Sequence, residues 1–450
     1  MRCGGARPGQ RLHLGEVRAG QRPGTARRDL RMIGRDRMPT LTNDASPRAG
    51  SAHAACLLAG LTLAALPSVA QAQSHDLAAT ASIRYDDNLY RVPSGLRKTL
   101  PNSGEEVVTY LVVRGGVATR IGVIAVNLKG TAGQRIHAYN PRFNALNYAG
   151  SASATYKTGQ GQVDATASYL HEPVVFDDAF ITHKTLRSTA DVTIVASRNL
   201  LGNFRAVGRG GYQRSAIGSR ELEANGTRIV RVSGGFGYFS PTGNSITLEY
   251  SEQRAHGLAT TQVQTGAGLA AYRSDFRERS IVSYIDYQLT GITSLRGSFG
   301  YAWHDDRSVL DKDGRGIQAD IALVWSPLPG LVITPSFRRG FSTESRVFSN
   351  GVQVTSYGIS ASETLFGRVN FNLGVSRGSR RFRYDVQAPA ALALDRNEVT
   401  TRASAGISYV TGSKFALNLA YEHAQRDSTR VAFPYVADAV TFSVTRAFGS

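Results

Sequence analysis

The stretch Phe-Ala-Leu-Asn-Leu-Ala-Tyr-Glu at residues 415–422 decides the fold, because large apolar side chains alternate there with small or polar ones. Every second residue from Phe415 to Tyr421 lies on one face of an extended chain. The same period of two recurs over residues 295–304 and 317–325. This alternation predicts β-strands, and they extend over most of the chain.

The links between these strands alternate in length. Eight are short, for example 158–161 and 411–413, and nine are longer and polar, for example 91–105 and 254–274. Together they join eighteen strands and put both ends of the strand region on the short-link side. Short turns on one side and long loops on the other are typical of a transmembrane β-barrel of the bacterial outer membrane.

We therefore predict an all-β fold, a transmembrane antiparallel β-barrel of about 18 strands with short periplasmic turns and longer extracellular loops. A closed barrel suits lipid because it gives every backbone polar group a hydrogen-bond partner. A soluble β-sandwich is the alternative, but its outward face would be polar and its links would not alternate in length. The link 254–274 is long enough to fold into the barrel.

The amino-terminal region has the composition of an export leader. Residues 1–37 are rich in Gly and Arg and are predicted to be disordered or an over-extended start, and residues 38–72 form a predicted signal peptide with an apolar run at 54–66. The small-x-small sequence before Gln73 predicts cleavage there, leaving residues 73–450 as the barrel. A lipoprotein cysteine or a buried cytosolic helix is the alternative for the apolar run.

Cysteine and methionine occur only at the beginning of the chain, with Cys3, Cys56 and all three methionines in the first 56 residues. The predicted barrel therefore has no disulfide, cysteine-ligated zinc, iron–sulfur cluster or cysteine nucleophile. The whole chain carries a formal charge of +18, and residues 73–450 keep +11 of it.

The inner face of the predicted barrel is charged. If the aromatic face of each strand faces lipid, the alternation of side chains points a set of cations into the lumen. This placement is favoured because an arginine or lysine on the lipid face costs about 2–4 kcal/mol at the bilayer midplane. We predict that these cations line the substrate path. These residues are Arg84, Arg114, Lys129, Arg187, Arg205, Arg209, Arg231, Arg296, Arg338 and Arg402. The acids predicted to accompany them are Asp164, Asp191, Glu249, Asp286, Asp320 and Glu422.

Two roles are open for this set. The charges brace the wall as salt bridges, or an excess of positive charge concentrates an anionic solute in a water-filled path. The strands at 353–366 and 370–383 are ambiguous in parity, and we assign no lumenal residue there.

No pattern predicts catalysis, a metal site or a cofactor. His171-Glu172-Pro173 lacks a second histidine at ligand spacing, and the remaining histidines are scattered. The Gly-rich patches at 208–211 and 234–237 lie in strands with no helix following, so they are not phosphate loops; glycine there allows curvature or close packing. We predict that the protein is not an enzyme and has no nucleic-acid partner.

Residues 81–91, Ala-Ser-Ile-Arg-Tyr-Asp-Asp-Asn-Leu-Tyr-Arg, run from a first strand into an Asp-Asp-Asn turn. This opening resembles that of the EpsL-type outer-membrane β-barrel proteins of exopolysaccharide biosynthesis and export systems. The resemblance implies a channel for a polysaccharide, anionic polymers included, and as partners outer-membrane lipid and the periplasmic and inner-membrane synthesis machinery. The Asp-Asp-Asn set is also typical of Asx turns at a strand end.

Three functions follow for a protein of the bacterial outer membrane. The first is passive exopolysaccharide export through a basic lumen. The second is a general or anion-preferring porin for small solutes. The third is a structural or surface-interaction barrel whose loops bind something outside.

Overall fold

The computed structural model describes most of the predicted barrel. The described residues are 74–174, 184–219, 223–265, 268–307, 313–342, 352–382, 396–412, 414–429 and 434–448. The predicted start 1–37 and signal peptide 38–72 lie outside the described residues, as do parts of the long links. Among the residues described, no helix is both long enough and apolar enough to cross a bilayer.

Twenty strands account for nearly all of the secondary structure in the described ranges. They are β1 (Ser74–Asp86), β2 (Glu106–Ile121), β3 (Ile124–His137), β4 (Ala145–Thr158), β5 (Gly161–Pro173), β6 (Leu186–Leu201), β7 (Phe204–Ile217), β8 (Thr227–Phe239), β9 (Ser245–Gly257), β10 (Thr261–Thr265), β11 (Gly268–Tyr272), β12 (Phe276–Thr290), β13 (Thr293–Asp306), β14 (Gly314–Leu328), β15 (Leu331–Ser342), β16 (Val352–Leu365), β17 (Val369–Phe382), β18 (Arg396–Val410), β19 (Phe415–Ser428) and β20 (Tyr435–Ala447). One short helix, α1 (Ser94–Arg97), and three 3₁₀ turns, Pro101–Gly104, Pro141–Phe143 and Glu223–Asn225, lie in the loops.

Eighteen of these strands form one closed antiparallel sheet. Each pairs with its neighbour in the chain, except that β9 pairs with β12, and the ring closes where β1 pairs with β20 from Ala78 opposite Ala447 to Asp86 opposite Ala439. The predicted barrel and its strand number are confirmed. Closure leaves no unpaired edge, which is what a sheet in hydrocarbon requires.

The link predicted over 254–274 differs from the expected loop. Strand β9 continues to Gly257, and β10 and β11 pair with each other as a small hairpin outside the barrel sheet. Alternating side chains in Thr261–Thr265 form a strand too short to recognise from the period alone.

The two rims of the barrel differ as predicted. One rim has tight turns such as 122–123 and 329–330, and the other has the long links, beginning with 87–105. Gly122 has a φ of 60° and Gly330 a φ of 87°, a left-handed conformation that suits glycine in a tight reversal. We refer to the two sides as the short-turn rim and the long-loop rim.

The outward face is apolar. Phe236 is 65% exposed and Leu373 61%, and large apolar side chains occupy the outward positions of strands around the ring. Such a continuous apolar surface would be a liability in water, whereas in a bilayer it is the surface that lipid covers.

The last strand shows how a cation is tolerated on this face. Val440, Phe442 and Val444 lie on the outward face of β20 together with Arg446, by their pairing with β1 and β19. The Arg446 guanidinium carbon lies 5.3 Å from the centre of the Phe415 ring and 5.1 Å from the centre of the Phe448 ring. Cation–π contacts at the short-turn rim account for the arginine at this position.

Glycines let neighbouring strands curve where a side chain would collide. A Cβ on Gly235 would lie 1.9 Å from the Leu248 carbonyl oxygen, and one on Gly300 would lie 2.1 Å from the Ile281 carbonyl oxygen. Both contacts involve backbone atoms, so glycine is required there. The predicted role of the 234–237 patch in close packing agrees with this geometry.

Candidate functional site

The strand register divides the side chains between the lipid face and the lumen. Ile83 and Tyr85 are exposed on the outward face of β1, and Arg84 between them points to the lumen, where it is largely covered. Applying the pairing partners around the ring places all ten predicted cations on the lumenal face, and with them the six predicted acids. Their participation in a substrate path stays a prediction.

Many of the lumenal charges are paired with one another. Arg84 lies 2.8 Å from Glu422, Arg187 lies 2.6 Å from Glu172, and the Arg209 Nε lies 2.9 Å from a Glu249 oxygen. Each pair joins different strands, so these contacts brace the wall.

Glu249 shows how completely one lumenal acid is satisfied. Its carboxylate is 1% exposed and accepts hydrogen bonds from Arg209, from the Ser233 hydroxyl at 2.8 Å and from the Thr247 hydroxyl at 3.4 Å. Arg209 in turn lies over the Tyr284 ring at 5.0 Å. A buried carboxylate held this way is structural, because it has few positions left for a solute.

The ambiguous strands contribute lumenal charges that strand parity alone did not assign. The pairing of β17 with β18 turns Arg380 and Glu398 inward, 3.0 Å apart, and Arg426 of β19 lies 3.9 Å from the same carboxylate. Polar residues at 376–381 hide the alternation of β17, although Phe371, Leu373 and Val375 still mark its outward face.

The register also reveals acids near the long-loop rim. Glu106 lies 3.4 Å from His137, and His304 is enclosed between Glu278 and Asp306 at 3.3 and 3.9 Å. These acids offset much of the positive excess expected from the sequence, so the lumen has local basic regions and not a uniformly positive wall.

Two cations in the middle of the wall stand apart from these pairs. Among the residues described, Arg114 and Lys129 have no ion pair. Both side chains point into the lumen from the neighbouring strands β2 and β3, where Arg114 lies opposite Thr131 and Lys129 lies opposite Gly116. Asp76 is the acid nearest by register, since it also lies opposite Gly116. Unpaired guanidinium and ammonium groups are available to a passing anion.

The first loop, 87–105, reaches the lumen. The Asp86 carboxylate accepts two hydrogen bonds of 2.7 Å from the Arg91 guanidinium and a third of 3.0 Å from the Asn88 backbone N–H. The Asn88 side-chain amide is fully buried and donates a hydrogen bond of 2.8 Å to the Val436 carbonyl on β20. We call these contacts the loop latch.

The loop latch forms part of the wall of a lumenal cavity of about 610 Å³. Leu89 and Arg91 come from the loop, whereas Arg135 and Arg402 come from β3 and β18. Arg84 and Glu422, with a stripe of small side chains on β15–β18, complete the lining; the stripe consists of Ser336, Gly358, Ser360, Gly374, Ser376 and Ser404. A charged cavity with hydroxyl groups and a volume in the range of small-molecule sites is the candidate functional site.

Comparison with known proteins agrees with this architecture. A family model described as "Putative beta-barrel porin 2" matches residues 288–448, where the chain is similar to that family. No curated protein matches the chain by sequence.

Solved structures resemble the chain at low identity. The outer membrane protein opdK from Pseudomonas aeruginosa is 9% identical over 84% of this chain and 99% of that chain, with a TM-score of 0.46. A BenF-like porin from Pseudomonas fluorescens is 10% identical over 84% and 99%, also with a TM-score of 0.46. OccAB4 from Acinetobacter baumannii is 10% identical over 85% and 100%, with a TM-score of 0.45.

The closed apolar-faced barrel and the porin-family match together define a porin-like β-barrel of the bacterial outer membrane. In such barrels the short turns are periplasmic and the long loops face outside. The match is to a porin family, and the finer resemblance of residues 81–91 to EpsL-type proteins stays a prediction.

Proposed function

We propose that the protein is a passive diffusion channel for small polar solutes, with a preference for anions. The observation that carries this proposal is the cavity of about 610 Å³ at the long-loop side of the lumen. Its volume suits a small molecule, and the loop latch narrows the path at the same level.

The charges around the cavity favour an anion locally. Arg84, Arg91, Arg135 and Arg402 line it, whereas of its two acids Asp86 is bonded to Arg91 and Glu422 is paired with Arg84. Because a carboxylate engaged in this way repels an anion less than a bare one, the local field stays positive.

Below the cavity, Arg114 and Lys129 offer a second point of attraction. A solute that leaves the cavity toward the short-turn rim passes the unpaired cations of β2 and β3. Several weak sites in series allow entry and also release, which a passive channel requires.

Polysaccharide export has less support. The residues that carry the resemblance, Asp86 and Arg91 among them, hold the first loop against the lumen, and this narrows the space that a polymer would cross. The porin-family match also favours the small-solute alternative. The test of export is a deletion strain scored for secreted polymer, and normal secretion would contradict it.

Planar-bilayer conductance tests the porin proposal. We expect open channels whose reversal potential in a salt gradient shows anion selectivity, and a loss of that selectivity in Arg114→Gln/Lys129→Gln. Arg198→Gln is the matched control, because Arg198 lies on the outward face by its pairing with Gly161. A cation-selective wild type would refute the anion preference, and a silent barrel would favour the structural or surface-interaction alternative.

A further inference from the structure

A cluster of arginines lies on the outward face of the barrel near the long-loop rim. Arg214 of β7 is directly opposite Arg228 of β8, and Arg254 of β9 is directly opposite Arg277 of β12. All four have the outward parity of Tyr212, which is exposed on the lipid face. We call these four arginines the basic patch.

Opposed like charges on a sheet repel one another unless an anion lies between them. Arg254 and Arg277 share the Glu252 carboxylate, at 2.6 and 3.0 Å. Arg214 and Arg228 are exposed, and within the part of the chain that the structure describes neither has an ion pair. The outward acids in this sector are Glu252, which Arg254 and Arg277 share, and Asp305, which lies opposite Arg277 and 2.9 Å from Arg279. Arg214 and Arg228 are therefore the members of the patch that an external anion can pair with.

A groove of about 450 Å³ runs along the outward face directly below this patch. Arg254 and its ion-pair partner Glu252 lie toward its upper end, and Val230, Val232, Tyr250 and Gly234 form its walls and floor. The long-loop rim is the outer-leaflet side, so the groove descends from the headgroup level into the acyl region.

The floor of the groove continues onto β7 through glycines without side chains. Gly208 is paired with Gly234, and Gly210 with Val232, so all three glycines lie on the outward face. A Cβ on Gly208 or Gly210 would meet only open space, so close packing does not explain why glycine is present there. Missing side chains between Tyr212 and Phe236 leave a slot for an external chain.

Direct opposition of two arginines distinguishes the patch from the rest of the outward long-loop half. The other outward arginines that the structure describes there are Arg279, Arg315, Arg339, Arg377 and Arg381, and in the strand pairings none of them lies opposite a second arginine. In β1–β6, as the structure describes them, the outward positions of the long-loop half hold neither arginine nor lysine. Two opposed arginines with no acid between them, Arg214 on β7 and Arg228 on β8, therefore mark this part of the face for a specific anionic contact. A lipid-face arginine is tolerated at this depth because its cost falls toward zero near the interface.

We propose that the basic patch and the groove below it bind one phosphate-bearing lipid of the outer leaflet. Arg214 and Arg228 bind the phosphate groups, since guanidinium pairs with phosphate through two parallel hydrogen bonds, and an acyl chain lies in the glycine-floored groove. This site is independent of solute passage through the lumen.

The test measures lipid retention by the purified full-length barrel in nanodiscs containing a bis-phosphorylated diglucosamine lipid or the same lipid without phosphates, read by native mass spectrometry. We expect one phosphorylated molecule retained by the wild type and about tenfold less retained by Arg214→Gln/Arg228→Gln. Arg198→Gln, an outward arginine at the short-turn rim, should retain as much as the wild type. Equal retention by the double variant, or equal retention of the dephosphorylated lipid by the wild type, would overturn the proposal.

The Gly234→Leu variant tests binding of the acyl chain separately from binding of the phosphate groups. The nearest atom to a Cβ on Gly234 is 3.9 Å away, so the side chain fits on the outside of a folded barrel. We expect weaker retention of the intact lipid and unchanged binding of the deacylated bisphosphorylated sugar. Unchanged lipid retention would refute the groove as its site. Heat-dependent gel migration verifies folding of every variant, and unchanged channel conductance would show that the lipid site and the pore are independent.

Discussion

Asp86→Ala should release the first loop from the lumen. The substitution removes two charge-assisted hydrogen bonds of 2.7 Å from Arg91, one of 3.0 Å from the Asn88 backbone and a longer one of 3.4 Å from Arg84. Asp86 is 4% exposed, so the change also leaves the Arg91 guanidinium without its carboxylate in a largely covered position. Breaking a buried pair on one side costs about 3–5 kcal/mol.

That loss is large compared with the contacts that remain. The Asn88 amide keeps its bonds to the Val92 and Val436 carbonyls, and each of these neutral bonds contributes only about 1 kcal/mol. Arg97 also keeps its ion pair with Asp87, which is 3.4 Å long and partly exposed and contributes about 0–1 kcal/mol. At about 1.4 kcal/mol for each factor of ten, the latched state loses a factor of about 100 or more relative to a released loop.

The assay is single-channel conductance together with liposome swelling in neutral sugars of increasing size. We expect the variant to conduct more and to admit larger sugars, because Leu89 and Arg91 leave the cavity wall. Asp164→Ala is the matched control: it also removes a lumenal carboxylate, one held by Thr155 at 2.7 Å and Gln162 at 2.6 Å and not by the loop. If Asp86→Ala matches this control in conductance and size limit, the loop latch does not set the constriction.

Substitutions in the strands of the barrel wall give three further predictions. Glu249→Ala should lower the free energy of unfolding by about 3–5 kcal/mol in urea titrations of the refolded barrel, because Arg209 loses a buried partner. Asp286→Ala, whose pair with Arg296 is mostly exposed, should change that free energy by less than about 1 kcal/mol. Equal losses in the two variants would contradict a structural role for Glu249. Gly235→Ala should prevent the heat-resistant folded band on gels, since its Cβ would meet the Leu248 carbonyl, whereas Gly210→Ala should fold normally. The Arg114→Gln/Lys129→Gln pair should move the reversal potential toward zero without changing the folded band, and an unshifted potential would exclude both cations from the ion path.

The alternation of side chains was readable before any contact was known. In β19 the residues from Phe415 to Tyr421 already separate into two faces, and the structure keeps that separation. The lumenal direction of Arg84 follows in the same way, because it lies between the outward side chains Ile83 and Tyr85. In β17, by contrast, polar residues occupy both faces near the long-loop rim, so Arg380 was not assignable from the period.

The pairing of charges was not readable, since it depends on strand register. Arg84 and Glu422 are 338 positions apart in the chain and meet because β1 closes against β20, beside β19. The same closure brings Asn88 to the Val436 carbonyl and turns an Asx-like turn into the anchor of a loop.

The sequence by itself determined the β-barrel, its eighteen strands, its two unequal rims and the face on which each clearly alternating residue lies. These properties depend on the period-two geometry of an extended chain and on local turn chemistry, both of which are written in neighbouring residues. Only the tertiary structure decided which lumenal charges neutralise each other, which strands anchor the first loop and where arginines meet on the lipid face. Those contacts arise from the register of a closed sheet, which joins residues hundreds of positions apart and leaves no trace in any short stretch of sequence.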